Sequence, residues 1–308
     1  MYHIHICNIN TLKKLIYLIL NINFSEDLFD FSKTELTSGK TKELKTTFAE
    51  DFKSVFELCD FVLKSYIKNT NQVKVSLVKT TLKTLLSFLS WMPLSYVFLS
   101  DLIENILLVL FEDKKFTGLV MKCLAEIVAL KFMDMKNEQD KYTIQIKILT
   151  LFNTFISKLQ NMMSVNQNFK REREVKLQSN KNNDLVTYDN FCKDLCNFLT
   201  AFYKNNLDWC EDYALSNQND RLMLCEILKI GLNYLINLTE VDEDSLFKMC
   251  CDFWLWITKQ RVDYTLKSNQ TKKSQEDQLL NLGNFNGNNM DQNFTEKLNI
   301  QIMIFNHE

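Results

Sequence analysis

The stretch Leu77–Leu130, LVKTTLKTLLSFLSWMPLSYVFLSDLIENILLVLFEDKKFTGLVMKCLAEIVAL, decides how the chain is read. It holds successive amphipathic helical patterns, and the chain's only proline, Pro93, lies in the first join. In the first pattern Val75, Val78, Leu82, Leu85 and Leu89 recur at three and four residues, which places them on one helical face. Trp91 and Met92 lead into Pro93, whose ring cannot continue a helix and biases Met92 toward extended backbone. A second helix carries Leu99, Leu102, Ile103, Ile106 and Leu110, and a third carries Val120, Cys123, Leu124, Ile127 and Val128. Helices joined by a few residues must fold back on one another, so this stretch predicts a helical hairpin and half of the next.

The same pattern extends in both directions. Upstream, Thr11–Ile22 reads as a short helix, followed by a loop through Gly39. A long helix is expected over 41–67, with Leu44, Phe48, Phe52, Val55, Cys59, Val62 and Tyr66 at steps of three and four. Downstream, one hairpin is expected over 97–112 with 115–132, its acidic first turn holding Asp101 and Glu104. Another begins near Glu138, with Ile144, Ile148, Leu151, Phe155, Leu159 and Met162 facing inward. Residues 164–183 (SVNQNFKREREVKLQSNKNN) lose the apolar period and read as a poorly ordered, solvated loop. Leu185, Tyr188, Phe191, Leu195, Phe198 and Phe202 resume the stripe, and a connector is expected around Trp209. Then come a helix carrying Leu222, Cys225, Leu228, Leu232 and Leu235, and another carrying Leu246, Met249, Phe253, Trp256 and Ile257.

The expected fold class is all-α, an α-solenoid of antiparallel helical hairpins. Hairpin starts near 41, 97 and 138 are irregular but close to the period of about 40–47 residues of HEAT repeats. Such units bury their faces only by stacking, which yields an extended concave binding surface. A single globular helical bundle is the alternative. The domain reading is residues 1–265 as the repeat array and 266–308 as a polar, Asn/Gln-rich tail, disordered or atypical.

Composition excludes several classes. Five glycines and one proline are too few for a sandwich or barrel. A net charge of −2 argues against a general polyanion binder, so no direct nucleic-acid contact is expected. The nine cysteines lie within apolar stripes, the usage of reduced thiols serving as small hydrophobes. Leu15–Phe24 follows Lys13 and Lys14, but Asn21 and Asn23 interrupt it, so a packed helix is expected there rather than a signal peptide. No membrane insertion is expected.

Catalytic chemistry finds no constellation. The histidines stand at positions 3, 5 and 307, too far apart in sequence for an evident Ser-His or Cys-His pair. Ser38-Gly39-Lys40 lacks the glycine spacing of a phosphate loop. Cys192 with Cys196, and Cys250 with Cys251, lack the second half of a zinc site. No enzyme, metal or cofactor is expected. The aromatic trio Phe253, Trp254 and Trp256 cannot share one helical face, so part of it is core. Asp242, Glu243 and Asp244 form the densest acidic cluster; they read as helix-initiating residues and as a candidate partner contact.

The blocks DLFDFS (27–32), DFKSVFELCDFVL (51–63), TLKTLLSFLSWMPLSYVF (81–98), LVMKCLAEI (119–127) and VDEDSLFKMCCDFWLWI (241–257) resemble the exportin-1 family of nuclear export receptors, within the karyopherin-β (importin-β) superfamily. The likeness runs from about Phe24 to Gln260. Trp91 and Pro93 carry its most distinctive turn, with Leu85, Cys123 and Phe253 as structural positions. The resemblance implies an armadillo-like HEAT array that binds Ran-GTP on its concave side, cooperatively with cargo bearing leucine-rich export signals. It also implies weak contacts with the phenylalanine-glycine repeats of the nuclear pore and shuttling between nucleus and cytoplasm. The family's cargo groove and acidic loop are not recognisable here, which reads as a fragment or truncated form. Ran contact is expected from the second helices of the hairpins and from Asp242–Asp244. The alternative is a HEAT scaffold without transport activity.

Overall fold

In the computed structural model, the described residues are 49–71, 73–90, 92–132, 135, 137–163, 168–178, 182–279, 300 and 304. The expected helix over Thr11–Ile22, the first positions of the 41–67 helix, and Trp91 lie outside them. The described residues are all-α, with no strand among them, and take the form of the expected α-solenoid of helical hairpins. The helices are α1 (Ala49–Lys68), α2 (Val75–Phe88) and α3 (Leu94–Phe98), then a π-helical segment (Leu102–Leu107) running into α4 (Leu108–Leu110). They continue with α5 (Thr117–Val128), α6 (Glu138–Met162), α7 (Phe169–Gln178), α8 (Asn182–Ser216), α9 (Gln218–Thr239) and α10 (Asp244–Leu279). The chain divides into two compact units, Met1–Lys147 and Ile148–Glu308, with the boundary inside α6.

In the first unit α1 packs on α2 and on the π segment, and α2 packs on α5. The stripes meet as the spacing requires: Cys59, Val62, Leu63 and Tyr66 of α1, Val78, Leu82 and Leu85 of α2, and Val120, Cys123, Leu124 and Ile127 of α5 are all buried. Tyr66 fixes the far end of α1, donating to Asp113 Oδ2 at 3.0 Å while its ring meets Phe116 edge-on. The thiols of Cys59 and Cys123 donate to the carbonyls of Thr81 and Leu82 on α2. Burial pushes the Cys59 thiol up to about 12 and raises that of Cys123 as well, so both stay protonated and act as apolar filler. Pro93 stands immediately before α3 with φ −55°, where its missing N–H costs nothing.

The expected helix over 97–112 is corrected. It breaks after Phe98 and resumes as the π segment. The hydroxyl of Ser100 accepts the N–H of Leu102 at 3.2 Å and donates to the carbonyl of Tyr96, a local alternative to the helical ladder. Leu102, Ile103, Ile106 and Leu107 are buried in the π segment, while Leu99, in the break before it, is 70% exposed.

In the second unit α8 packs on α9 and α10, α9 packs on α10, and α7 covers α8 and α9. Its core is aromatic: Phe152 stacks on Phe202, Phe155 lies against Phe198, and Tyr203 is flanked by Phe152, Phe202 and Phe253. Gly231 of α9 makes this possible, since a Cβ there would lie 2.9 Å from Phe152 Cζ and closer still to the Tyr203 hydroxyl. That hydroxyl is held in place by donating to the carbonyl of Leu228.

Three further expectations are corrected in this unit. Residues 169–178, expected as part of a loop over 164–183, form α7. Asn168 caps it by accepting the N–H of Arg171 at 2.8 Å, and Phe169 anchors it against Tyr234. No connector occurs at Trp209, because the buried stripe continues through Leu207, Cys210 and Ala214 and α8 runs unbroken to Ser216. Leu222 is 71% exposed, and Leu224 takes the buried position. The helical backbone of α10 passes residue 266 and continues to Leu279, since no glycine or proline interrupts it. Ile300 and Ile304, one helical turn apart, are buried. Helix α9 is long and apolar enough to cross a membrane, yet Leu224, Cys225, Leu228, Leu232, Leu235 and Leu238 are buried in the fold, the use of a core helix.

Candidate partner surface

The acidic cluster lies where α9 ends and α10 begins, and three neighbouring elements determine what each carboxylate does. Glu243 stands directly before α10 and its side chain turns inward: Oε2 accepts the N–H of Leu246 at 2.6 Å and Oε1 pairs with Lys193 Nζ of α8 at 3.0 Å. Burial alone would raise its carboxyl pKa. The N–H of Leu246 and the ammonium of Lys193 outweigh that burial and hold it below the ordinary glutamate range. Arg173 of α7 reaches the same corner. Its guanidinium grips Asp189 of α8 bidentately, Nε to Oδ1 at 2.8 Å and Nη2 to Oδ2 at 3.1 Å, while Nη1 donates to the backbone carbonyl of Asp242. One cation thus ties α7, α8 and the start of α10 together.

The three carboxylates therefore divide into one turned inward and two at the surface. Glu243 is committed to starting α10 and to Lys193. Asp242 and Asp244 are exposed and extend this corner outward. The expectation that these residues initiate a helix holds for Glu243 in atomic detail. The clasp residues Arg173, Asp189 and Lys193 were missed from the sequence, because a cation in a charge-rich stretch shows no sign of a partner many residues away.

The other singled-out residues fall inside the fold. Leu85 and Cys123 are fully buried in the first unit and Phe253 in the second. Of the aromatic trio, Phe253 is core, and Trp254 and Trp256 are half-buried beside it with ring centroids at 5.0 and 6.0 Å. The indole N–H of Trp254 donates to Thr239 at 3.0 Å, so this ring closes the α9–α10 corner rather than offering a free stacking face. Cys192, Cys196 and Cys250 are buried as expected, but Cys251 is exposed. Among the described residues no group of three or more His, Cys, Asp or Glu side chains could hold a metal ion.

Helical hairpins packed one after another define a helical-repeat protein. Comparison with known proteins sharpens this. The model of the Exportin 1-like protein family matches residues 4–124, beginning earlier than the likeness read from the sequence, and that of the chromosome region maintenance or exportin repeat matches residues 226–260. Exportin-1 of Schizosaccharomyces pombe is 30% identical over 258 residues, covering 84% of this chain and 21% of that protein. Protein EXPORTIN 1B of Arabidopsis thaliana is 32% identical over 75% of the chain and 18% of its own length, and Exportin-1 of Drosophila melanogaster 31% over 75% and 19%. The chain belongs to the exportin-1 family. It spans about a fifth of the length of the curated relatives it matches.

Proposed function

We propose that this chain is a segment of a nuclear export receptor, supporting Ran-GTP-dependent export of proteins with leucine-rich export signals through the nuclear pore. The observation that carries the reading is the alignment of relatives named exportin across three-quarters or more of the chain, rather than over one generic repeat. In this reading the groove for the export signal belongs to another part of the receptor, and this segment contributes solenoid structure and partner-facing surface. Its partners are then Ran-GTP, export cargo of the whole receptor, and the phenylalanine-glycine repeats of the pore. The protein shuttles between nucleus and cytoplasm and has no catalytic role. Exposed Asp242 and Asp244 are the proposed contacts on this segment, with Glu243 supporting them from behind.

The test is retention of Ran on the immobilised chain, with Ran loaded with a non-hydrolysable GTP analogue or with GDP. The expected result is preference for the GTP form, weakened in an Asp242→Ala/Asp244→Ala variant whose melting temperature is unchanged. Equal retention of both forms would move the chain to the scaffold class.

A further inference from the structure

All eight cysteines among the described residues are free. Cys196 of α8 and Cys250 of α10 differ from the rest in facing each other. Their sulfurs lie 3.6 Å apart with both side chains fully buried. Cys59 and Cys123, by contrast, each donate to a backbone carbonyl. We propose that Cys196 and Cys250 are a redox-active dithiol that a hydroperoxide closes to a disulfide, stapling α10 to α8.

A disulfide needs its sulfurs at about 2.04 Å, so the pair must close by only about 1.6 Å. Side-chain rotation with a small approach of two already packed helices supplies that distance. The chemistry balances with the peroxide as oxidant. The Cys250 sulfur attacks the terminal oxygen, the O–O bond breaks, and Cys250 becomes a sulfenic acid as water or an alcohol leaves. The Cys196 sulfur then attacks the sulfenic sulfur, the S–O bond breaks, and a second water carries off the oxygen and the Cys196 proton. The hydrogen bond between the thiols favours this order. It holds Cys250 below the ordinary thiol range against the opposing effect of burial, with help from the Thr239 hydroxyl, and it raises Cys196. The neighbouring Cys251 is exposed, about 100° round α10 from the buried Cys250.

The bond would close a loop between positions 54 residues apart, long enough to restrict the unfolded chain strongly. The experiment treats the full chain with hydrogen peroxide, blocks remaining thiols under denaturing conditions, and maps the digest by mass spectrometry. The expected product is a Cys196–Cys250 peptide pair that dithiothreitol separates, and a melting temperature raised by on the order of 10 °C before reduction. Cys251→Ser keeps the link, and Cys250→Ser loses it. Complete alkylation of both thiols after oxidation, a link running through Cys251, or a lowered melting temperature would each overturn the proposal. Mapping of the native chain decides the matter even where a cysteine variant fails to fold.

Discussion

The two units reach stability by different routes. The first is built from shorter helices whose buried faces are mostly aliphatic, and its Lys64 pairs with Asp60 one turn away and with Asp101 lie at the partly exposed surface. The second has long helices, an aromatic core, and ion pairs between residues far apart in sequence: Arg173 with Asp189, Lys193 with Glu243, and Arg261 with Glu211. Apolar stripes are non-directional and tolerate exchange of similar volumes. Buried ion pairs are directional, and loss of one partner costs far more than loss of both. The second unit should therefore respond more sharply to single polar substitutions, and the first to single apolar truncations.

The largest effect is expected at Glu211, fully buried and held bidentately by Arg261 at 2.5 and 3.1 Å. Glu211→Ala removes the guanidinium's main partner and should destabilise by about 3–5 kcal/mol in a denaturant titration. The double variant Glu211→Leu/Arg261→Met should recover most of that loss, since no charge is then left buried. Equal losses in the single and double variants would mean that packing, not charge, holds this corner.

The matching probe in the first unit is Leu85→Ala, expected to cost about 2–5 kcal/mol because Leu85 is fully buried on α2. Leu99→Ala should change stability by no more than about 0.5 kcal/mol. Periodicity alone places both leucines on buried faces, so their thermal melts separate a helix broken after Phe98 from a continuous one. Lys83→Ala, on the exposed side of α2, is the neutral reference.

Where the sequence was legible, one apolar residue every three or four positions carried the information. The faces of α1, α2 and α5 follow from that rule, as does the fold class. It failed where other physics decided. The Ser100 hydroxyl interrupts a helix that hydropathy would continue, and small Cys210 and Ala214 continue one that hydropathy would end. Helix α7 was missed because Phe169 is its one buried apolar residue; the Arg173 clasp, the Tyr188 hydroxyl on the Phe169 carbonyl and the Lys176 ammonium over the Tyr188 ring hold the rest. The acidic corner was half legible. The acidic run marked the start of α10, but nothing in it said that Glu243 turns inward while Asp242 and Asp244 stay exposed. That division depends on Lys193, about fifty positions upstream.

A smaller effect should come from Gly231. Its Cβ position collides with Tyr203 and Phe152, and the Tyr203 hydroxyl cannot withdraw without giving up the Leu228 carbonyl. Gly231→Ala should therefore cost about 1–3 kcal/mol as overpacking, although alanine is the better helix former. Pairing it with Tyr203→Phe should return part of the loss, because the oxygen responsible for the closest approach is then gone. If Gly231→Ala instead stabilises, the aromatic core of the second unit is looser than its stacking geometry implies.

The smallest effect probes how the corner couples to pH. Glu243→Gln keeps the shape but weakens both the cap on Leu246 and the pair with Lys193, and should cost about 0.5–2 kcal/mol near neutral pH. Because the folded carboxyl sits below the ordinary glutamate value of 4.5, the folded state binds this proton less readily than the unfolded one. The contribution of Glu243 is therefore complete above the unfolded value and declines as pH falls through the folded one. Melting curves of the two proteins should differ most near neutral pH and converge toward about pH 3. The exposed neighbour sharpens the comparison: Asp244→Asn should leave the melting temperature near wild type at neutral pH, because its side chain is exposed. A difference between wild type and Glu243→Gln that held constant down to about pH 3 would show that capping by shape, rather than charge, starts α10.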